Sequence, residues 1–305
     1  MPVIGFVGSA SPAEFATYVA GFHRGLDETG YVDGRNVAIE FRWAEGHYER
    51  VPALVDDLVR RQVTVLFATA AGGGAKAAKA ATSTIPIVFT TGRDPVEMGL
   101  VASLGHPGGN LTGINFFTTE LREKRLELLH ALVPKATVIA YLVNPNGTTE
   151  SGAQKESRTR KLLDTARMFG LQLRFLSAAN EQEIDTAFAT FAQLRPGALL
   201  VESDIYFNAR REQIVALVAR NKVPAIYEGR EYVAAGGLMS YGASLSEAWR
   251  QAGIYAGKII NGAKPADLPV LQSTKIEMVI NAGTARALGL TIPQALLLRA
   301  DEVIQ

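Results

Sequence analysis

The sequence predicts an α/β protein built from two doubly wound parallel-sheet lobes. Short β-rich runs alternate with longer helical patterns, which marks a parallel sheet covered on both faces. The alternation runs through once and then again in the same order. Residue-level similarity between the two passes is slight, so the repeat is architectural. At roughly 150 residues per domain, a length of 305 residues suggests two domains, with one large α/β unit as the alternative.

The first half starts on a strand from Val3 to Val7. A helix from Pro12 to Thr29 is expected next. Phe15, Val19, Phe22 and Leu26 sit at helical spacing along it, and Gly30 stops it. The pattern continues with strand Asn36 to Trp43, a helix near Val51 to Arg61, strand Val63 to Ala68, a helix near Ala75 to Thr82 and strand Pro86 to Phe89. A short helix near Pro95 to Leu104, a turn-rich run over 105–110 and strand Leu111 to Phe116 complete this half.

The second half opens on strand Thr137 to Val143, followed by a helix near Lys155 to Phe169 that Gly170 ends. Strand Leu171 to Leu176, helix Glu181 to Leu194, strand Ala198 to Val201 and helix Arg210 to Asn221 follow. Strand Pro224 to Tyr227, a short helix near Arg230 to Ala235 and strand Gly237 to Tyr241 close the repeat. The pattern then changes to a long helix, Ser246 to Ile260, an extended stretch, Lys264 to Ser273, strand Lys275 to Ile280, a short helix, Ala282 to Leu288, and an irregular tail. This third part is too small for its own core, so it is expected to pack back on both halves. The chain would then pass between lobes more than once, which is a hinge architecture.

Composition narrows the function classes. The chain is 48% hydrophobic and 20% charged, ordinary for a globular protein. A net charge of +1 supplies no strong field for nucleic acid or an anionic membrane. No apolar run approaches the roughly 18 residues of a membrane span. Cysteine is absent, which removes disulfides, thiolate metal sites and cysteine nucleophiles. Met1-Pro2 leads directly into the first strand, so no leader is visible within this numbering.

Ligands of open parallel sheets bind beyond the carboxyl ends of the strands, where helix N-termini offer unpaired N–H groups. In the first half those ends carry Ser9 and Ser11, Trp43, Thr69 and Ala70, and Thr91, Gly92 and Asp94. Small hydroxyls and helix starts suit a carboxylate. In the second half they carry Asn144, Asp204, Tyr206, Tyr227 and Glu228, which suit an aromatic body and an amine. Each residue also has a structural alternative. Ser9, Ser11, Thr69 and Thr91 can equally cap helices, and capping is favoured for Asp94. Tyr206 and Tyr227 can equally be packing residues, and Trp43 is more often an amphipathic edge residue than a stacking platform. The argument rests on their coincidence at strand ends in both halves.

Catalytic machinery is not legible. His23, His47, His106 and His130 lie far apart, without metal-ligand spacing. There is no Gly-x-Ser-x-Gly elbow, no His-Glu-x-x-His and no dinucleotide fingerprint after the first strand. No cofactor is expected, and binding is favoured over catalysis. A carboxylate pair assembled in space, such as Asp94 with Asp204 or Glu228, is the route by which an enzyme would remain open. The effector domain of a regulator is a further alternative, although no basic helical head precedes the first strand.

Several segments resemble the ABC transporter substrate-binding family that includes tryptophan- and tyrosine-type binding proteins. They are Gly30 to Val37, Asp94-Pro95-Val96 with Gly99-Leu100-Val101, Pro107 to Gly113, Val143 to Asn146, and Ala285 to Pro293. The likeness runs almost end to end. It implies a type I periplasmic-binding fold with a three-crossing hinge, the crossings falling near 115–118, 240–242 and 271–274. The lobes would be 1–116 with 242–272, and 117–241 with 273–305. Asn115 and Tyr241, at two crossings, thereby join the candidate ligand residues. The resemblance further implies an exported or periplasmic monomer that loses a leader. It would close on a small solute, an amino acid or other carboxylate with aromatic ones included, and deliver it to an ABC permease in the inner membrane. The run Ala71-Gly72-Gly73-Gly74 is more glycine-rich than the family leads one to expect, which points to a roomier pocket there.

Overall fold

Two strand-and-helix units emerge from the alternation of periods. A computed structural model describes residues 1–69, 73–116, 121–146, 152–273 and 275–305. Unit 1 comprises Met1–Phe117 with Ser244–Thr274, and unit 2 comprises Thr118–Ala243 with Lys275–Gln305. The chain therefore passes from one unit to the other three times.

Unit 1 holds strands β1 (Val3–Gly8), β2 (Ala38–Trp43), β3 (Val65–Thr69), β4 (Ile87–Thr91), β5 (Leu111–Asn115) and β11 (Leu271–Gln272). They pair in the order β11-β5-β4-β3-β1-β2, all parallel. Helices α1 (Pro12–Asp27) and α11 (Leu245–Ile260) lie together on one face, and α2 (Val51–Arg60) and α3 (Gly74–Ala81) on the other. Period two in β1 divides its side chains between them. Phe6 points to the α1/α11 face, where its ring lies 5.7 Å from Phe22, 4.9 Å from Phe67 and 5.6 Å from Trp249. Val7 joins Val55, Leu58 and Ala78 on the opposite face.

Helix α1 starts as the sequence requires. Ser11 caps it, Pro12 holds the first turn, and Glu14 reaches back to the Ser11 N–H at 2.7 Å. Its glycines then allow an unusual approach. A Cβ on Gly25 would strike the Arg250 carbonyl of α11, and one on Gly253 would strike the Phe22 carbonyl of α1. Gly21 and Gly257 face Ser246 and Thr29 in the same seam. The two Gly-x-x-x-Gly spacings thus bring the helix backbones into contact.

Unit 2 holds β6 (Val138–Val143), β7 (Gln172–Ser177), β8 (Ala198–Val201), β9 (Ala225–Tyr227), β10 (Met239–Ala243), β12 (Ile276–Asn281) and β13 (Glu302–Ile304). Their order is β13-β12-β10-β9-β8-β6-β7, parallel except for the antiparallel β10–β12 pair. One face packs under α4 (Arg122–Leu132) and α5 (Gly152–Met168). The other packs under α6 (Glu181–Ala189), α9 (Arg211–Arg220) and α10 (Arg230–Ala234). The short helices α7 (Phe191–Leu194), α8 (Ile205–Ala209), α12 (Ala282–Ala287) and α13 (Gln294–Leu297) complete the unit.

Four expectations change. Residues 95–104 form turns in place of a helix: Asp94 caps one turn, and Gly99, at φ +69°, ends it. The helix expected from Glu181 to Leu194 breaks at Thr190, and Arg210 separates α8 from α9. The tail is partly ordered, because β13 finds a parallel partner in β12. Helix α4, which the sequence reading passed over, covers β8 and β9.

Candidate functional site

All strands of a parallel sheet end along one edge, so register decides which candidates are neighbours. In unit 1 Gly8 pairs with Trp43, Val7 with Ala68, Thr69 with Thr90, and Thr91 with Asn115. Strand order reverses between β1 and β3, the switch point at which such sheets open a crevice. Ser9 and Thr69 flank it, both buried. The Ser9 hydroxyl has no hydrogen-bond partner among the described residues. Ala70 lies outside the described residues.

The other unit 1 candidates have local duties. The Ser11 hydroxyl donates to Glu14 Oε2 at 2.8 Å and accepts from the Glu14 N–H at 3.4 Å. Thr91 Oγ1 accepts from the Arg93 N–H at 3.1 Å, which folds the bend through Gly92. Asp94 Oδ1 accepts from the Val96 N–H at 2.7 Å and the Glu97 N–H at 3.3 Å. Asn115 is buried, and its carbonyl accepts from the Ser273 N–H at 2.7 Å. Trp43 is half-buried. Its ring lies nearly parallel to Phe41 at 5.7 Å and stacks on Phe15 at 5.8 Å. The same ring occupies the space a Cβ on Gly8 would need.

In unit 2 the order reverses between β6 and β8, and there the residues bind one another. The Asn144 N–H donates to Glu202 Oε2 at 3.1 Å, and Asn144 Nδ2 donates to Asp204 Oδ1 at 3.0 Å. Asn144 Oδ1 in turn accepts from the Asn146 N–H at 3.0 Å. Asp204 Oδ1 also caps α8, accepting from the Tyr206 and Phe207 N–H groups at 3.0 and 3.1 Å. Burial pushes the Asp204 carboxyl up to about 6, against the pull of Asn144.

Period two explains a second layer. Tyr141, Glu202 and Glu228 share the sheet face of the α4/α5 core, since their strand neighbours Ile139, Leu200 and Ile226 belong to it. Arg122 and Arg125 of α4 and Arg158 of α5 meet them there. Arg158 Nη2 donates to Glu202 Oε1 at 3.0 Å, and Arg122 Nη2 donates to the Arg158 carbonyl at 2.9 Å. Burial lifts the Glu228 carboxyl to about 7, opposed by the charge of Arg125, while burial lowers the Arg125 guanidinium. The tyrosine phenol of Tyr141 is raised by the same cause.

Tyr227 alternates to the opposite face. It is fully buried, stacked on Tyr232 at 4.6 Å within the α6/α9/α10 core. Its hydroxyl has no hydrogen-bond partner among the described residues, and burial raises its pKa. Tyr227→Phe is expected to raise stability by about 1 kcal/mol, since an unsatisfied buried hydroxyl is removed. Thermal melting checks this, and a lower melting temperature would show that the hydroxyl is engaged. Tyr206 is half-buried beneath the Arg210 guanidinium, 5.4 Å from its ring centre, and Tyr241 is half-buried against the α4/α5 core.

The sequence reading names strand-end residues that lie beside both switch points, and it does not name Glu202, Arg122, Arg125 or Arg158. A signal existed. Arg122 and Arg125 share the apolar stripe of Leu126, Leu129 and Leu132, where a cation needs a buried partner. Among the described residues, no group of three or more His, Cys, Asp or Glu is placed to hold a metal ion.

Comparison with known proteins fits this geometry. The chain is 28% identical over 268 residues to the Tyrosine-binding protein of Clostridioides difficile (strain R20291), covering 88% of this chain and 75% of that protein. A conserved domain protein of Vibrio cholerae O1 biovar El Tor superposes with a TM-score of 0.85 at 28% identity, covering 99% of each chain. The ABC domain of Streptococcus pneumonia, solved in complex with L-Trp, superposes with a TM-score of 0.84 at 26% identity, again covering 99% of each chain. The fold is that of the type I periplasmic binding proteins. The model of the family described as ABC transporter substrate binding protein matches residues 3–304, and the chain belongs to that family.

Proposed function

We propose that this chain is the solute-capturing component of an ABC importer. Its ligand is an amino acid, with tryptophan and tyrosine foremost. The ligand lies between the two switch-point edges, and the lobes close on it about the three chain crossings. The observation that carries this reading is the complementary chemistry of those edges. Unit 1 offers the buried Ser9 hydroxyl, Thr69 and the N-terminus of α1, which suit a carboxylate. Unit 2 offers Asn144 and Asp204, which suit an ammonium. The likeness to a tyrosine-binding protein and to a protein solved with L-Trp supports the ligand class. Export, and delivery of the solute to an inner-membrane permease, complete the proposal.

Calorimetric titration with L-tryptophan, L-tyrosine, L-phenylalanine, L-leucine and D-glucose tests it. Saturable binding of an aromatic amino acid is expected, with a smaller radius of gyration in the bound state, because a ligand favours closure by its extra contacts there. Absence of binding to every amino acid would overturn the reading. An unchanged radius on saturation would remove closure alone. Asp204→Asn separates the two duties of that residue. Asparagine retains the α8 cap but loses the charge, so binding should weaken by about 1–3 kcal/mol while stability holds.

A further inference from the structure

Unit 2 fixes its switch point from behind, through residues that approach it from the α4/α5 face. Glu202 follows β8 directly and is 6% exposed. Both of its oxygens are used. One accepts the backbone N–H of Asn144 at 3.1 Å, and the other accepts Arg158 Nη2 at 3.0 Å. Arg158 is itself fixed from α4, since its carbonyl accepts Arg122 Nη2 at 2.9 Å. Asn144 then passes the constraint on, because its side-chain amide holds Asp204 Oδ1 at 3.0 Å, the oxygen that also caps α8. A continuous path therefore runs from α4 through α5, Glu202 and Asn144 to Asp204.

Packing alone does not require this path. A buried ion pair contributes little net stability compared with apolar residues of the same volume. What it does fix is direction: a carboxylate between a backbone N–H and a guanidinium has one orientation, and so does the strand end bonded to it. We propose that Glu202, braced by Arg158, is a positioning residue for ligand capture, which aims Asn144 and Asp204 at the ammonium group of an amino acid. The proposal rests on the functional reading above.

The charged groups around Asp204 give a second consequence. Asp204 faces Asn144 just past β6, Glu202 just past β8 and Glu228 just past β9, with Arg125 of α4 beyond Glu228. The negative charge of Glu202 opposes ionisation of Asp204. Removing that charge shifts the titration of Asp204 to lower pH.

The test measures L-tryptophan affinity calorimetrically from pH 5 to pH 8 for the parent protein and for Glu202→Gln. Two effects are expected together. Affinity at pH 8 falls by about tenfold, the scale of one charged hydrogen bond. The pH at which affinity drops on acidification moves downward. A residue that merely supported the fold would not move that midpoint. Unchanged affinity and midpoint would overturn the proposal. If Glu202→Gln fails to fold, the double variant Arg158→Met with Glu202→Met replaces the pair by apolar groups of similar volume. It should melt near the parent temperature and still bind at least about tenfold more weakly. Parent-like binding would again overturn the proposal. Hydrogen exchange at the Asn144 amide gives a readout that needs no ligand. It should be slow in the parent and faster in either variant, and equal rates would sink the relay. If the parent binds no amino acid, the functional reading fails while the exchange data still judge the relay.

Discussion

Gly25→Val is expected to destabilise unit 1 by at least about 3 kcal/mol, the cost of forcing side-chain volume into a packed interface. The reason is geometric. A Cβ at this position would strike the Arg250 carbonyl and come within 2.9 Å of the Ile254 nitrogen. Both are backbone atoms of α11, so no side-chain rotation relieves the clash. The helices would have to separate, opening the aromatic cluster of Phe6, Phe22, Phe67 and Trp249 beneath them. Thermal melting should show a drop of about 10 °C for a unit of this size. Gly30→Val is the contrasting control. Gly30 adopts φ +87°, and a Cβ there would meet nothing within 4 Å, so its cost is backbone strain with no clash. A melting temperature for Gly25→Val within a degree or two of the parent would show that the seam between α1 and α11 is not tight.

The second large effect is expected at Arg125. Its side chain is fully buried, and its charge is the larger of two favourable influences on the buried Glu228, ahead of a hydrogen bond with Ser203. Arg125→Met removes the cation and strands the carboxylate, which should cost about 3–5 kcal/mol at neutral pH. Replacing both residues, Arg125→Met with Glu228→Met, should recover most of that loss. The pH dependence follows from the direction of the shift. Glu228 titrates at about 7 in the folded protein, against 4.5 for an ordinary glutamate, so the folded state holds its proton more tightly. Its contribution to stability is complete below about pH 4.5 and is lost as pH rises through 7. Without Arg125 that shift grows, so the single variant should be weakest in alkali and regain stability on acidification. Urea denaturation from pH 5 to pH 8 checks both statements. A variant whose deficit is the same at every pH would show that Glu228 does not depend on Arg125.

The parts of the fold read correctly from the sequence are those in which a local pattern and its tertiary use agree. Strand β1 is a short apolar run that becomes a central strand, and α1 carries its cap, its stripe and its stop within 20 residues of sequence. Where the two conflict, reading fails. Pro95 and Asp94 announce a helix start, but Gly99 ends it after one turn. Strand β13 is three residues long and has no signal apart from its partner β12. The site divides in the same way. Strand ends are visible as positions, so Asn144 and Asp204 could be named. The bonds that Glu202 accepts from Asn144 and from Arg158 span 58 and 44 residues of sequence, and no spacing rule reaches that far. Capping is the alternative to ligand contact that the sequence offers for Ser11 and Asp94, and those hydrogen bonds are present.

The nesting of the two units has a consequence for synthesis on the ribosome. Unit 1 lacks α11 and β11 until residues 244–274 have emerged, by which time the whole stretch from Thr118 to Ala243 has been made. That stretch still lacks β12 and β13, which emerge only after residue 275. The nascent chain therefore completes neither core early, and the α1–α11 seam must close a loop of more than 200 residues. Loop closure of that length costs little more than for a shorter one at equilibrium, but it delays the contact. A fragment ending at Ala243 should accordingly emerge with two open cores and recruit holdase chaperones, while the full chain releases them.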